Sequence, residues 1–110
     1  MSDEHSWLEI TEVRDAGRVR LRLRGELDLA GAPAVRDRLR RLREGGEPVL
    51  LDLDELEFID MSGLRVLLAA SGEASRDGWS FAVTRGSARV RRLIGLVQLD
   101  RQLPLDGQPG

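Results

Sequence analysis

Phe58-Ile59-Asp60-Met61-Ser62-Gly63-Leu64-Arg65-Val66-Leu67-Leu68 turns a buried strand into a helix within four residues, and the rest of the chain is arranged around that turn. Phe58 and Ile59 close an apolar extended stretch. Leu64 opens a run in which Leu64, Leu67, Leu68 and Ser71 share one stripe, widened by Val66, Ala69 and Ala70, so a mostly buried helix is expected to Asp77-Gly78. Between them the spacing predicts Ser62 as the helix cap, its oxygen accepting from the N–H of Leu64 or Arg65. Gly63 is expected to leave that hydroxyl approachable, and Met61 to place an apolar side chain in an exposed turn.

Upstream, Pro48 to Leu53 is almost continuously apolar, the pattern of a strand covered on both faces in a parallel sheet, with Asp54-Glu55-Leu56-Glu57 carrying the chain on to Phe58. Before it, Pro33 to Glu44 reads as a helix with Val35, Leu39 and Leu42 inward, proline at a tolerated first position, and Gly45-Gly46 as its stop. Two alternating stretches open the chain. Leu8, Ile10 and Val13 alternate with polar residues, then Val19, Leu21 and Leu23 alternate with Arg18, Arg20, Arg22 and Arg24 across a turn at Asp15-Ala16-Gly17. A hairpin follows, its arginines read as a solvated face that discourages edge pairing. Gly25-Glu26-Leu27-Asp28 is expected to end it.

Downstream, Trp79 to Val83 alternates as a strand, and Ser87 is placed to cap a short helix with Val90, Leu93 and Ile94 inward, closed by Gly95. A turn or short strand is expected over residues 96–105. The order β-β-α-β-α-β-α makes the fold class α/β: a single mixed sheet with an N-terminal hairpin and helices packed against it.

Composition narrows the function. The 110 residues suffice for one modest core, and 41% apolar with 33% charged residues is the mixture of a packed domain. A net charge of −2, with arginine supplying every side-chain cation, gives no global field for nucleic acid. Cysteine is absent, which excludes thiolate chemistry, and the start lacks the pattern of a secretory signal. No apolar run approaches the ~20 residues of a membrane span. A cytoplasmic protein is expected.

The turn itself offers two chemistries. A nucleophilic serine on a sharp elbow wants glycines two positions to either side, where this chain has Asp60 and Leu64, and a histidine base, for which only His5 exists. Asp28, Asp52, Asp54 and Asp60 come without histidines or a metal-binding spacing, so neither intrinsic catalysis nor a cofactor is expected. The alternative is that Ser62 accepts a phosphoryl group. A phosphate at a helix N-terminus meets free N–H groups, whereas a partner burying the turn meets a new charge of about −1.5 to −2.

Two motifs then carry a resemblance. Gly25-Glu26-Leu27-Asp28, and Val49 to Leu53 followed by Phe58-Ile59-Asp60-Met61-Ser62-Gly63-Leu64, resemble in order and separation the STAS domain family, specifically bacterial anti-sigma factor antagonists of the SpoIIAA kind. The resemblance implies a STAS domain over residues 7–105; the polar ends, 1–6 and 106–110, are expected to be flexible tails. It implies an antagonist that binds an anti-sigma factor and is switched off when that factor, a serine kinase supplying ATP and magnesium, phosphorylates Ser62; a serine phosphatase reverses the step. Glu26, Asp28, Asp60, Met61, Ser62, Gly63 and Arg65 would form the partner surface of a monomer or weak dimer. Met61 departs from the small polar residue of many relatives. STAS domains also serve as non-catalytic subunits of lipid-transport complexes or stress-sensing scaffolds, which is the alternative expectation.

Overall fold

The first two strands fold as a hairpin because their alternation gives them one apolar face and their connection is a tight left-handed turn. The structure is a computed structural model that describes residues 7–96 and Pro104. β1 (Leu8–Asp15) pairs antiparallel with β2 (Arg18–Leu27), Leu8 opposite Gly25 and Asp15 opposite Arg18. Ala16 and Gly17 join them with φ of 54° and 80°, the backbone sign that matches strand twist in two-residue hairpins. Val19, Leu21, Leu23 and Leu27 are buried. β2 therefore continues through Gly25-Glu26-Leu27, where the hairpin was expected to end. The continuation needs glycine: Gly25 has φ of 103°, and a Cβ there would collide with the Trp7 carbonyl.

The sheet order is β1-β2-β3-β4, with β3 (Val49–Ile59) parallel to both β2 and β4 (Phe81–Val83). This placement corrects the reading of the arginines. β2 is an interior strand, so its arginines guard no edge. Arg20 and Arg22 instead converge on Asp52 of β3, at 3.4 and 3.6 Å, and Asp52 is only 3% exposed. A buried carboxylate between two guanidinium groups and the Asp54 N–H, 2.9 Å away, has its charge compensated.

β3 runs on through Asp54-Glu55-Leu56-Glu57, which the sequence pattern leaves as a connector. Two register shifts against β2 explain why. Arg22 and Arg24 face Asp52 and Glu55, and Gly25 and Glu26 face Leu56 and Phe58, so β3 gains one residue at each step. Residues 49–53 are all buried, and the positions that join the core consequently change from a spacing of two at Val49, Leu51 and Leu53 to a spacing of three at Leu53, Leu56 and Ile59. The period of a regular strand is lost while the strand is kept.

α1 (Ala32–Glu44) and α2 (Met61–Asp77) pack together, and α3 (Ala88–Leu96) packs on β3. α1 buries Ala32, Val35, Leu39 and Leu42; α2 buries Gly63, Leu64, Val66, Leu67 and Ala70. These join the buried strand residues, Val90 and Ile94 in one core. Each fully buried Leu contributes about 1.5–3 kcal/mol. Arg43 ties the end of α1 to α2 through Glu73 and Asp77 at 3.0 and 2.8 Å.

Two boundaries differ from expectation at the far end. β4 covers only Phe81–Val83, because Trp79 serves as a bridge. Its indole N–H donates to the Glu47 carbonyl at 2.7 Å, and its ring stacks on Phe81 with centroids 5.0 Å apart. α3 passes through Gly95 to Leu96. The expected element over residues 96–105 falls mostly outside the described residues, as do the two tails and His5; the Pro104 carbonyl accepts from Val83 at 3.0 Å.

Candidate functional site

The ends of β2 and β3 lie side by side in the sheet, so the loops that follow them meet. Leu27 faces Ile59, and the Asp60 N–H donates to the Leu27 carbonyl at 3.1 Å. Asp60 is extended, with φ −106° and ψ −174°, and its Oδ1 accepts from the Gly63 N–H at 3.1 Å. Its main-chain oxygen accepts from Leu64 at 3.0 Å. Asp60 is thus the cap of α2, and the expectation that Ser62 caps it is corrected. A cap residue stands outside the helix, whereas α2 begins at Met61 and Ser62 is already its second residue. A carboxylate is also the better acceptor beside the positive end of the dipole.

The consequence for Ser62 is freedom. The residue is half-buried, and its hydroxyl makes no hydrogen bond among the described residues. Gly63 has a different job from the one read in the sequence. It is buried against the sheet, and a Cβ would stand 2.7 Å from Leu27 Cγ, 2.8 Å from Ile59 Cγ1 and 2.9 Å from the Leu27 carbonyl. It therefore lets α2 approach the strand ends and belongs to the packing beneath the site.

Asp60 also reaches across. Its Oδ2 accepts from the Leu29 N–H at 3.2 Å, which ties the loop after β2 to the start of α2. Asp28 shapes that loop: its Oδ1 accepts from Ala30 and Gly31 at 3.1 and 3.2 Å, and its main-chain oxygen from Gly31 and Ala32 at 3.1 and 2.9 Å. Both motifs of the sequence thus form one hydrogen-bonded unit. Within it Asp28 and Asp60 are builders, while Met61, 48% exposed, and Arg65 face solvent. Glu26 is half-buried opposite Phe58.

Ser62 and Arg65 line one wall of a groove of about 360 Å³ between α1 and α2, with Leu29, Pro33 and Arg36 opposite and Ala32, Val66 and Ala69 as apolar lining. Leu29 and Arg36 were not anticipated as site residues. Leu29, 74% exposed, had a legible signal, an apolar side chain amid small loop residues directly after Asp28. Arg36 had none, being one arginine among several on its helix. Among the described residues no helix is long and apolar enough to cross a membrane, and no group of three or more acidic or histidine side chains is placed to hold a metal ion.

Comparison with known proteins places this geometry. Residues 10–105 match the sequence model of the family described as Mlab, STAS domain. The chain is 27% identical over 81 residues to the anti-sigma-B factor antagonist of Bacillus subtilis, covering 74% of each chain. It is 30% identical over 73 residues to Osmosensory protein A of Mycobacterium tuberculosis, covering 66% of this chain and 46% of that protein, so it spans about half that relative's length. Among solved structures, an anti-sigma factor antagonist from Mycobacterium paratuberculosis superposes with a TM-score of 0.79 at 27% identity, over 98% of this chain and 92% of the other.

Proposed function

We propose a function that proceeds from one premise: the chain belongs to the STAS domain family. Within that family it acts as an anti-sigma factor antagonist in the cytoplasm. It binds an anti-sigma factor that is also a serine kinase, through Met61, Ser62, Arg65, Glu26 and the neighbouring Leu29, on a scaffold held by Asp28 and Asp60. The relatives named as antagonists support the role. The observation that carries the mechanism is the free hydroxyl of Ser62 in the first turn of α2, next to a carboxylate that has taken over the capping.

In the switching step the Ser62 oxygen forms a bond to the γ-phosphorus of ATP, the bond from that phosphorus to the bridging oxygen breaks, ADP leaves, and the serine proton passes to a base of the kinase. The chain's own part is to keep the Ser62 hydroxyl out of its own hydrogen bonds and to tolerate the product. Tolerance follows from position, since a phosphate in the first helical turn is favoured by the dipole and disturbs no hydrogen bond that the hydroxyl was making. The partner, having apposed an apolar and neutral surface around Met61 and Leu29, meets a dianion and lets go. A serine phosphatase restores binding.

The test is incubation of the purified chain with ATP and the anti-sigma kinase of its own genome, followed by peptide mass spectrometry and a binding assay. Phosphate on Ser62 and at least a tenfold loss of affinity are expected. Modification at another residue, or a phosphoprotein that binds as well as before, overturns the proposal. A second reading, a docking subunit of a larger sensing assembly, draws support from the similarity to Osmosensory protein A. It predicts capture by a multidomain partner that Ser62→Asp leaves unchanged.

A further inference from the structure

We infer that Arg36 and Arg65 form a two-sided clamp for a phosphate carried on Ser62, drawing the modified residue into the chain's own α1–α2 groove. The inference rests on the reading that Ser62 is the modified residue. Arg65 lies three residues after Ser62 on α2 and is therefore its neighbour on the helix surface. Helical side chains lean toward the N-terminus, so the Arg65 arm extends over the turn that carries Ser62. Arg36, from α1, lines the same groove as both.

These two cations are also uncommitted. Among the described residues neither Arg36 nor Arg65 makes an ion pair or side-chain hydrogen bond; on α1 the exposed Arg41 is likewise unpaired, whereas Arg38 pairs with Glu12, Arg40 with Asp37 and Arg43 with Glu73 and Asp77. The groove thus brings two unpaired guanidinium groups and one unpaired hydroxyl together. Two carboxylates of the same unit keep their charge, and the two guanidinium groups offset them. Asp60 accepts from Gly63 and Leu29, and Asp28 from Ala30 and Gly31.

A guanidinium presents paired N–H donors that match phosphate oxygens, and a phosphoserine carries about −1.5 to −2 charges at neutral pH. The buried Ala32 and Val66 in the lining keep water from one side of the contact, which strengthens it. The off state is then more than a repelled partner. The clamped phosphate and its guanidinium groups fill the space beside Leu29 and Pro33, so a segment that docks there in the unmodified state loses its seat.

The clamp is tested on the full chain with phosphoserine installed at position 62 during translation, so that no kinase is needed. Phosphorus NMR follows the second ionisation of the phosphate, and thermal melts are recorded in parallel. Clamping stabilises the dianion, so the folded chain's phosphate ionises at lower pH than in the urea-unfolded chain. The added stability is present above the unfolded value, about 6, and disappears as pH falls through the folded one. In the double variant Arg36→Ala/Arg65→Ala the downward shift is expected to be at least halved, with Arg36→Gln/Arg65→Gln as a second variant that keeps more of the side-chain packing. An ionisation and a melt that neither double variant changes overturn the clamp. That result leaves the switch standing if phosphorylation still severs the partner, and a kinase that ignores Ser62 removes the switch while leaving the clamp measurable.

Discussion

Ser62 and Ser87 occupy comparable places, one in the first turn of α2 and one directly before α3, yet their hydroxyls are in opposite circumstances. Ser87 Oγ accepts from the Val90 N–H at 3.2 Å and donates its own proton to the Leu56 carbonyl at 2.7 Å. It caps its helix and pins it to β3. Ser62 does neither, because Asp60, two residues earlier, holds the helix start. A hydroxyl used as donor and acceptor is structural material; one relieved of both duties is available for chemistry. The same residue type at nearly the same point of a helix is given its role by what precedes it.

Four substitutions break or sharpen that contrast. The largest effect is expected below Ser62, at Gly63→Ala. The new methyl would press on the Leu27 carbonyl as well as on side chains, and overpacking of this kind costs about 1–3 kcal/mol, read from urea denaturation. Asp60→Ala comes next: it removes acceptors from Gly63 and Leu29 together and should cost about 1–2 kcal/mol in the same measurement. Ser87→Ala should lose about 1 kcal/mol, the value of a cap, with the loss seen as faster amide exchange in α3. Ser62→Ala should stay within about 0.5 kcal/mol of the parent protein. Equal losses at the two serines would abolish the distinction, since Ser62 would then be a cap after all.

Much of this was legible beforehand, for identifiable reasons. Val35, Leu39 and Leu42 on α1, Ser87 before α3 and the hairpin all rest on local periodicity or on a cap with nothing competing for its place. The cap of α2 was misread because Asp60 and Ser62 are both good caps, and the choice depends on where the strand ends. That point is set by two bulges that arise only from pairing with β2. Gly63 was credited with opening the serine because a sequence shows a missing side chain without showing which way it would have pointed. The arginines of β2 were assigned to an edge because alternation identifies a strand's faces and not its neighbours. Their acceptor, Asp52, lies on another strand 30 residues beyond Arg22.

The hydrogen bonds that join Asp60 to Leu27 and Leu29 bear on how Ser62 is recognised from outside. A peptide copying residues 58–68 would contain each residue of the turn in order, but neither the carbonyl nor the amide that orients it. Removed from the protein, the segment is a flexible string with a serine in it. An enzyme that modifies Ser62 would therefore read a conformational epitope assembled from two distant loops, and scanning a proteome for a linear consensus would miss its substrates.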